Sequence, residues 1–266
     1  VTAGVGGEGT VRVSKIYDAL RKAEKGRSRP RTGGRGASSA RAPKPVGERA
    51  LLAGMDENFR RSLLNLKNAI DSEMKAKESR VILFTSAVGR EGKTTIVASL
   101  ARILALGESV RILLVDCSVR NPELHRLFGV ENARGIVDFL AGRAQLKEII
   151  RTVDRGVLDL VTTGTSEGVD VTQPLFNSDR LRVFMREAAE AYDYVLIDSS
   201  AILEAPETPI IGSLTDGVVM VIHAARTRRE VIKRAMLMVS KLDGVFIGTV
   251  LNRKKYYIPE FIYRRV

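Results

Sequence analysis

Beyond residue 80 the chain alternates between two kinds of segment, and that alternation limits the fold more than any other feature. Apolar, β-branched runs fall at 81–85, 111–115, 157–162, 194–197, 217–223 and 245–251. Stretches of helical length lie between them at 93–106, 134–152, 178–191 and 228–242. A strand that is apolar throughout is buried on both faces. Parallel neighbours need a long crossover, usually a helix, to return the chain to the same edge. The pattern therefore predicts an α/β fold: a doubly wound, mostly parallel sheet with helices on both faces. At 266 residues and 44% hydrophobic content the chain can build one large core with extensions. Just upstream, Phe59, Leu63, Leu66 and Ile70 recur at helical spacing, which predicts an amphipathic helix over 56–76.

The net charge of +12 is concentrated near the start. Residues 1–50 hold 12 Lys+Arg against 4 Asp+Glu, a net of +8, so the other 216 residues carry only +4. Residues 26–49 are rich in Gly, Pro, Ser and Arg and read as a disordered linker. Before them, "SKIYDALRKAEKG" places Ile16, Leu20 and Ala23 on one face of a short helix over 14–25. A flexible basic arm of this kind is open to anionic lipid or nucleic acid, or serves only as a solubilising linker. The single cysteine, Cys117, excludes an internal disulfide. No apolar stretch approaches the ~20 residues of a membrane span, and no signal peptide is visible. These features predict a cytoplasmic protein.

The first strand runs into "SAVGREGKTT", 86–95. The phosphate-binding loop G-x-x-x-x-G-K-[ST] is matched at Gly92, Lys93 and Thr94, with Ala87 at its first position. A buried strand before it and a helix after it turn the loop's backbone N–H groups and the helix N-terminus toward an anion. Gly89 and Gly92 permit close backbone approach. Lys93 can reach the β- and γ-phosphates of ATP, and the Thr94 hydroxyl can ligate Mg²⁺. Two other strands end in aspartate, "RILLVD" at Asp116 and "YDYVLID" at Asp198. In a parallel sheet, strand carboxyl ends line the ligand crevice. The two carboxylates are therefore expected beside the loop with a cation between them.

The order of phosphate loop, "ILLVDCSVRNPELHRLFG", "RGIVDFLAG", "YDYVLID" and "IGTVLNR" resembles the bacterial tyrosine autokinases of capsule and exopolysaccharide synthesis, a P-loop ATPase family. The likeness covers about 55–266, and "SKIYDALRKAE" is similar to the opening of members from exopolysaccharide operons. That likeness makes Val13 a candidate true start. It implies that Gly92, Lys93, Thr94 and Thr95 hold the phosphates. Asp116 and Arg120 match the D-x-D-x-R motif, whose first aspartate helps hold Mg²⁺ and is the base for the tyrosine hydroxyl. Asp198 is the third motif, and Asn252 matches a position that contacts adenine in related ATPases.

The sequence also departs from the family. The second aspartate of D-x-D-x-R is Ser118, and "DSSAI" stands where Asp-Thr-Pro-Pro is usual. The assembly motif E-x-x-R-x-x-R is matched at Glu57 and Arg60 but has Leu63 at its last position. Partitioning and division-site ATPases share the fold, but they carry a signature lysine where this chain has Val88.

Three of the six tyrosines, Tyr256, Tyr257 and Tyr263, lie in the last eleven residues. By resemblance they are phosphoacceptor candidates. The same segment also reads as a basic docking element for a membrane surface or partner, or as a packed terminus. His125 and His223 lack metal-ligand spacing and read as structural. Cys117 reads as a small buried side chain, with a thiol activated by the positive loop as the alternative. The chain is thus expected to comprise a basic arm over 1–50, an ATPase or kinase domain over 51–252 and a tail over 253–266. The resemblance implies a homo-oligomer that phosphorylates a neighbour's tail, with a membrane-embedded chain-length regulator as activator. The alternatives are an ATP-binding scaffold of the polysaccharide machinery and a DNA-associated partitioning ATPase.

Overall fold

The computed structural model describes residues 55–107, 110–154, 157–165 and 173–253. The expectations for the arm over 1–50 and for Tyr256, Tyr257 and Tyr263 lie outside the described residues. The described chain opens with helix α1 (Glu57–Glu73) and strand β1 (Arg80–Ser86). Helix α2 (Lys93–Leu104), β2 (Ile112–Cys117) and α3 (Leu124–Phe128) follow. Next come the short α4 (Ile136–Leu140) and α5 (Leu146–Ile149), β3 (Ile150–Asp154) and β4 (Leu158–Val161). The last third holds α6 (Gln173–Phe176), α7 (Asp179–Ala191), β5 (Tyr194–Ser199), α8 (Glu207–Gly212), β6 (Gly217–His223), α9 (Arg229–Val239) and β7 (Val245–Asn252).

The strands form one sheet in the order β3-β4-β2-β5-β1-β6-β7. All pairs are parallel except β3 with β4. The chain winds from β1 toward β2 on one side and later toward β6 and β7 on the other, so β1 stands at the switch point where such sheets bind ligands.

Period-two geometry divides the core. Ile82, Phe84, Ile112, Leu114 and Leu196 pack with Phe59, Leu63 and Ile70 of α1 and Ile96 and Leu100 of α2. Val81, Leu83, Leu113, Val115 and Ile197 pack on the other face with α4, α7 and α9. Strands apolar at every position are what a sheet covered on both sides requires, and the predicted doubly wound architecture is borne out.

The single helix expected over 134–152 is a correction. That stretch holds two short helices and then an antiparallel edge strand. Gly142, at φ +75°, ends the first helix because left-handed backbone suits glycine. The following "IIRTV" is β-branched and lies against β4, where sheet pairing outweighs helical periodicity.

Helix α1 is capped by the Asp56 carboxylate, which accepts from the Phe59 N–H at 2.8 Å. Asp71 fastens its far end. It pairs with Lys67 at 2.6 Å, lies 3.4 Å from the Arg80 guanidinium and accepts from the Tyr194 hydroxyl at the start of β5. Leu63 is 2% exposed. The last position of the would-be assembly motif is thus a core residue of this helix, while Glu57 and Arg60 are exposed.

Candidate functional site: the phosphate loop and two buried aspartates

Residues 112, 114, 194 and 196 face α2, so alternation along β2 and β5 puts Asp116 and Asp198 on that same face. They are direct register partners on adjacent parallel strands, which brings the two carboxylates together at the N-terminus of α2. Both residues are fully buried. Asp116 is bound by backbone. Its Oδ1 accepts from Ser118 N–H at 3.0 Å, and its Oδ2 accepts from Glu123 and Leu124 N–H at 3.2 and 3.1 Å. Neither oxygen of Asp198 has a hydrogen-bond partner of normal geometry, although the Lys93 cation and the Thr94 hydroxyl draw its pKa down. Burial outweighs these effects, and both carboxyls are held above the ordinary carboxylate range. For Asp116 the cause is desolvation, reinforced by the neighbouring Asp198 charge.

The phosphate loop leaves β1 at Ser86. Ala87 is fully buried and is not among the residues with positive φ, so this position has no need of glycine. The left-handed turns fall later, at Arg90 (φ +63°) and Gly92 (φ +91°). At Gly92 a Cβ would meet the Asn252 amide at 2.1 Å, so only glycine fits there. Lys93 is 8% exposed, and its Nζ donates to the Ser86 hydroxyl at 3.0 Å. Ser86 in turn donates to the Val88 carbonyl at 2.7 Å. The lysine is thus held back against its own loop. Thr94 and Thr95 open α2 and are half-buried.

Asn252 closes β7 and is 1% exposed. Its Nδ2 donates to the Glu91 carbonyl at 2.7 Å, so it braces the phosphate loop. Its Oδ1 is buried without a partner. Arg120 lies in the exposed turn after β2, beyond the half-buried Ser118. The Gly89 N–H donates to the Glu204 carboxylate at 3.1 Å.

Two residues of this site went unread in the sequence. Glu91 is 1% exposed and ties the loop to the end of β6. Its Oε2 accepts from Val88 N–H at 3.1 Å, and its Oε1 accepts from His223 N–H at 3.0 Å and from the Thr227 hydroxyl. Glu204 supplies the carboxylate on Gly89. A carboxylate between the two glycines of the loop was the only available signal for Glu91, and two of its three partners, His223 and Thr227, lie more than 130 residues away.

The activated-thiol alternative for Cys117 is overturned. The thiol is fully buried, and desolvation and the carboxylates of Asp116, Asp198 and Glu207 push its pKa up. His125 sits on α3, with burial lowering its pKa. Among the described residues no group of His, Cys, Asp and Glu is arranged to hold a metal by itself. The partnerless Asp198 oxygens next to Thr94 nonetheless fit a hydrated cation that also ligates phosphate.

Residues 79–242 match the AAA_31 family, an AAA domain, over more than half of the chain. The chain belongs to that family of P-loop ATPases. This AAA-domain protein is 29% identical over 200 residues to tyrosine-protein kinase YwqD of Bacillus subtilis (strain 168), spanning 75% of its own length and 81% of the relative. It is 28% identical over 196 residues to the succinoglycan biosynthesis transport protein ExoP of Rhizobium meliloti (strain 1021), spanning 73% of this chain and 25% of that one. The kinase domain of Escherichia coli tyrosine kinase ETK has the same fold, with a TM-score of 0.72 at 20% identity over 94% of this chain and 98% of that one. The septum site-determining protein MinD of Pyrococcus horikoshii OT3, complexed with Mg-ADP, shares the fold at a TM-score of 0.55 and 24% identity, over 70% and 76% of the two chains. The resemblance to bacterial tyrosine kinases read from the sequence is borne out, and the AAA domain is a nucleotide-binding one. No helix among the described residues is long and apolar enough to cross a membrane.

Proposed function

We propose that this protein is an ATP- and Mg²⁺-dependent protein-tyrosine kinase that phosphorylates copies of itself and controls polymerisation or export of an exopolysaccharide. The observation that carries the reading is the pair of buried, register-matched carboxylates beside a phosphate loop, in a chain whose relatives are tyrosine-protein kinases. ATP lies with its phosphates on the loop amides from Gly89 to Thr95 and on Lys93. Thr94 and Asp198 would hold Mg²⁺, with Asp116 as a further partner. The cation supplies charge neutralisation for the transferring phosphoryl group. Asp116 accepts the proton of the incoming tyrosine hydroxyl. The backbone N–H groups of Ser118, Glu123 and Leu124 fix the direction of its carboxylate. Arg120, exposed beside the site, complements phosphate charge, and Asn252 lies where adenine is contacted in related ATPases. The acceptors are Tyr256, Tyr257 and Tyr263 of a neighbouring subunit, and the activator is a membrane-embedded chain-length regulator.

The test is mass spectrometry of the purified protein after incubation with Mg-ATP, beside Lys93→Met. The expected result is ATP-dependent phosphotyrosine at 256, 257 or 263 that is absent in the variant. A second reading, an ATP-operated scaffold without transfer, is favoured by Ser118, which leaves the metal side with one carboxylate fewer than the family motif. Tyrosines that stay unmodified in protein that binds ATP, with and without membrane partners, would establish the scaffold instead.

A further inference from the structure

A pocket of about 190 Å³ opens on the side of the phosphate loop away from the two aspartates. Asp116 and Asp198 end β2 and β5, on one side of β1, whereas this pocket lies toward β6, on the other. Its walls are the loop residues Val88 to Glu91 and the turn from His223 into α9. At roughly 300–1,000 Å³, small-molecule sites are larger. This one has room for one or two side chains and lies directly against the phosphate loop.

Its chemistry is one-sided. Arg90, Arg226 and Arg228 line it, all three are exposed, and none takes part in an ion pair among the described residues. Arg90 and Ala225 both have left-handed backbone, at φ +63° and +59°, a conformation non-glycine residues seldom hold. The only acidic lining residue, Glu91, is 1% exposed, with both oxygens engaged by Val88, His223 and Thr227. Val88 and Val231 add an apolar part. Three guanidinium groups around a small, partly apolar hollow match carboxylate side chains that flank an apolar or aromatic one.

We propose that this arginine-lined pocket docks an acidic, tyrosine-bearing peptide segment of a partner protein beside the phosphate loop. Only the fate of that tyrosine rests on the kinase reading; the docking does not. The charge of the chain's own tail argues for a different protein. Residues 254–266 hold four basic residues and one acidic one, so the rim repels them.

The experiment is fluorescence anisotropy on the full chain, using a labelled peptide with one tyrosine flanked on both sides by glutamates and a matched peptide with glutamine at those positions. The acidic peptide is expected to bind about tenfold tighter at low salt, an advantage that shrinks as salt rises. The double variant R226E/R228E is expected to abolish that preference while binding Mg-ATP as the parent does. Both substituted positions are exposed, and circular dichroism checks the variant's fold. Equal affinity for the two peptides, or an unchanged preference in the variant, overturns the proposal. Complete displacement by millimolar inorganic phosphate, with Mg-ATP affinity reduced in the variant, assigns the arginines to free phosphate and also overturns it. Tight acidic-peptide binding without transfer from ATP upholds the docking pocket and shows that the docked tyrosine is no acceptor, while the kinase reading stands or falls on phosphotyrosine at 256, 257 or 263.

Discussion

Each of three side chains at the site poses its own question. Lys93 donates to the Ser86 hydroxyl, and its charge offsets that of the buried Asp198. Lys93→Met should lose ATP affinity by tenfold or more, read by calorimetry, with circular dichroism to check its fold. Asp198 is destabilising in the metal-free state. Its carboxyl is raised to about 6 and that of Asp116 to about 7, so ionising both opposes folding. A raised carboxyl pKa contributes stability below the unfolded value, near 4, and that contribution is lost as pH climbs through 6 to 7. Asp198→Asn should thus raise the melting temperature of metal-free protein at pH 8 by ~2–4 °C, about 1 kcal/mol. The gain should shrink at pH 5, and Mg²⁺-dependent nucleotide binding should be lost. Thermal melts at the two pH values check the sign. Glu204 places a carboxylate on the Gly89 N–H, where phosphate charge is expected. Glu204→Ala should tighten Mg-ATP binding by a few-fold, and unchanged affinity would show that the contact does not compete. The loop lysine, threonine and both aspartates were legible in the sequence because the motif and the strand ends mark them. Glu91 was not, because its partners come from the end of β6 and the turn beyond it.

Among the elements, α1 and β3 are the instructive cases. The spacing of Phe59, Leu63, Leu66 and Ile70 marks α1 correctly, and all but the half-buried Leu66 are in the core. The same burial settles what Leu63 cannot do. Leu63→Arg would complete the assembly motif on paper, yet it puts an unpaired charge where 2% of the side chain is exposed. A loss of several kcal/mol is expected, at least the ~2–5 kcal/mol of Leu63→Ala, measured by urea unfolding. Should Leu63→Arg melt like the parent, α1 would have to leave the sheet. Strand β3 shows the opposite failure. The stretch 134–152 has helical spacing, but it is divided by a glycine at positive φ and ends in β-branched residues that complete a sheet edge. Local periodicity does not report whether a sheet edge is waiting for a partner.

At the scale of the whole molecule, the winding of the sheet does the work. Placing β5 between β1 and β2 makes Asp116 and Asp198 neighbours although 82 residues of chain separate them. Placing β6 and β7 on the other side brings the β6–α9 turn and Asn252 against the phosphate loop. One loop thus has an acidic side and a basic side. If both are used together, R226E/R228E should slow transfer to an acidic tyrosine copolymer through KM rather than kcat, because the groups around the reacting phosphate are untouched. The sequence by itself determined the strand–helix alternation, the doubly wound class, the phosphate loop and the two terminal aspartates. These are local patterns, imposed by backbone periodicity and by the contacts a phosphate needs. Only the tertiary structure decided which carboxylates share a face, that Glu91 and Asn252 brace the loop, that Leu63 is core, and that three arginines gather around a pocket. Each of these depends on strand order, which long-range packing selects and no short window of sequence contains.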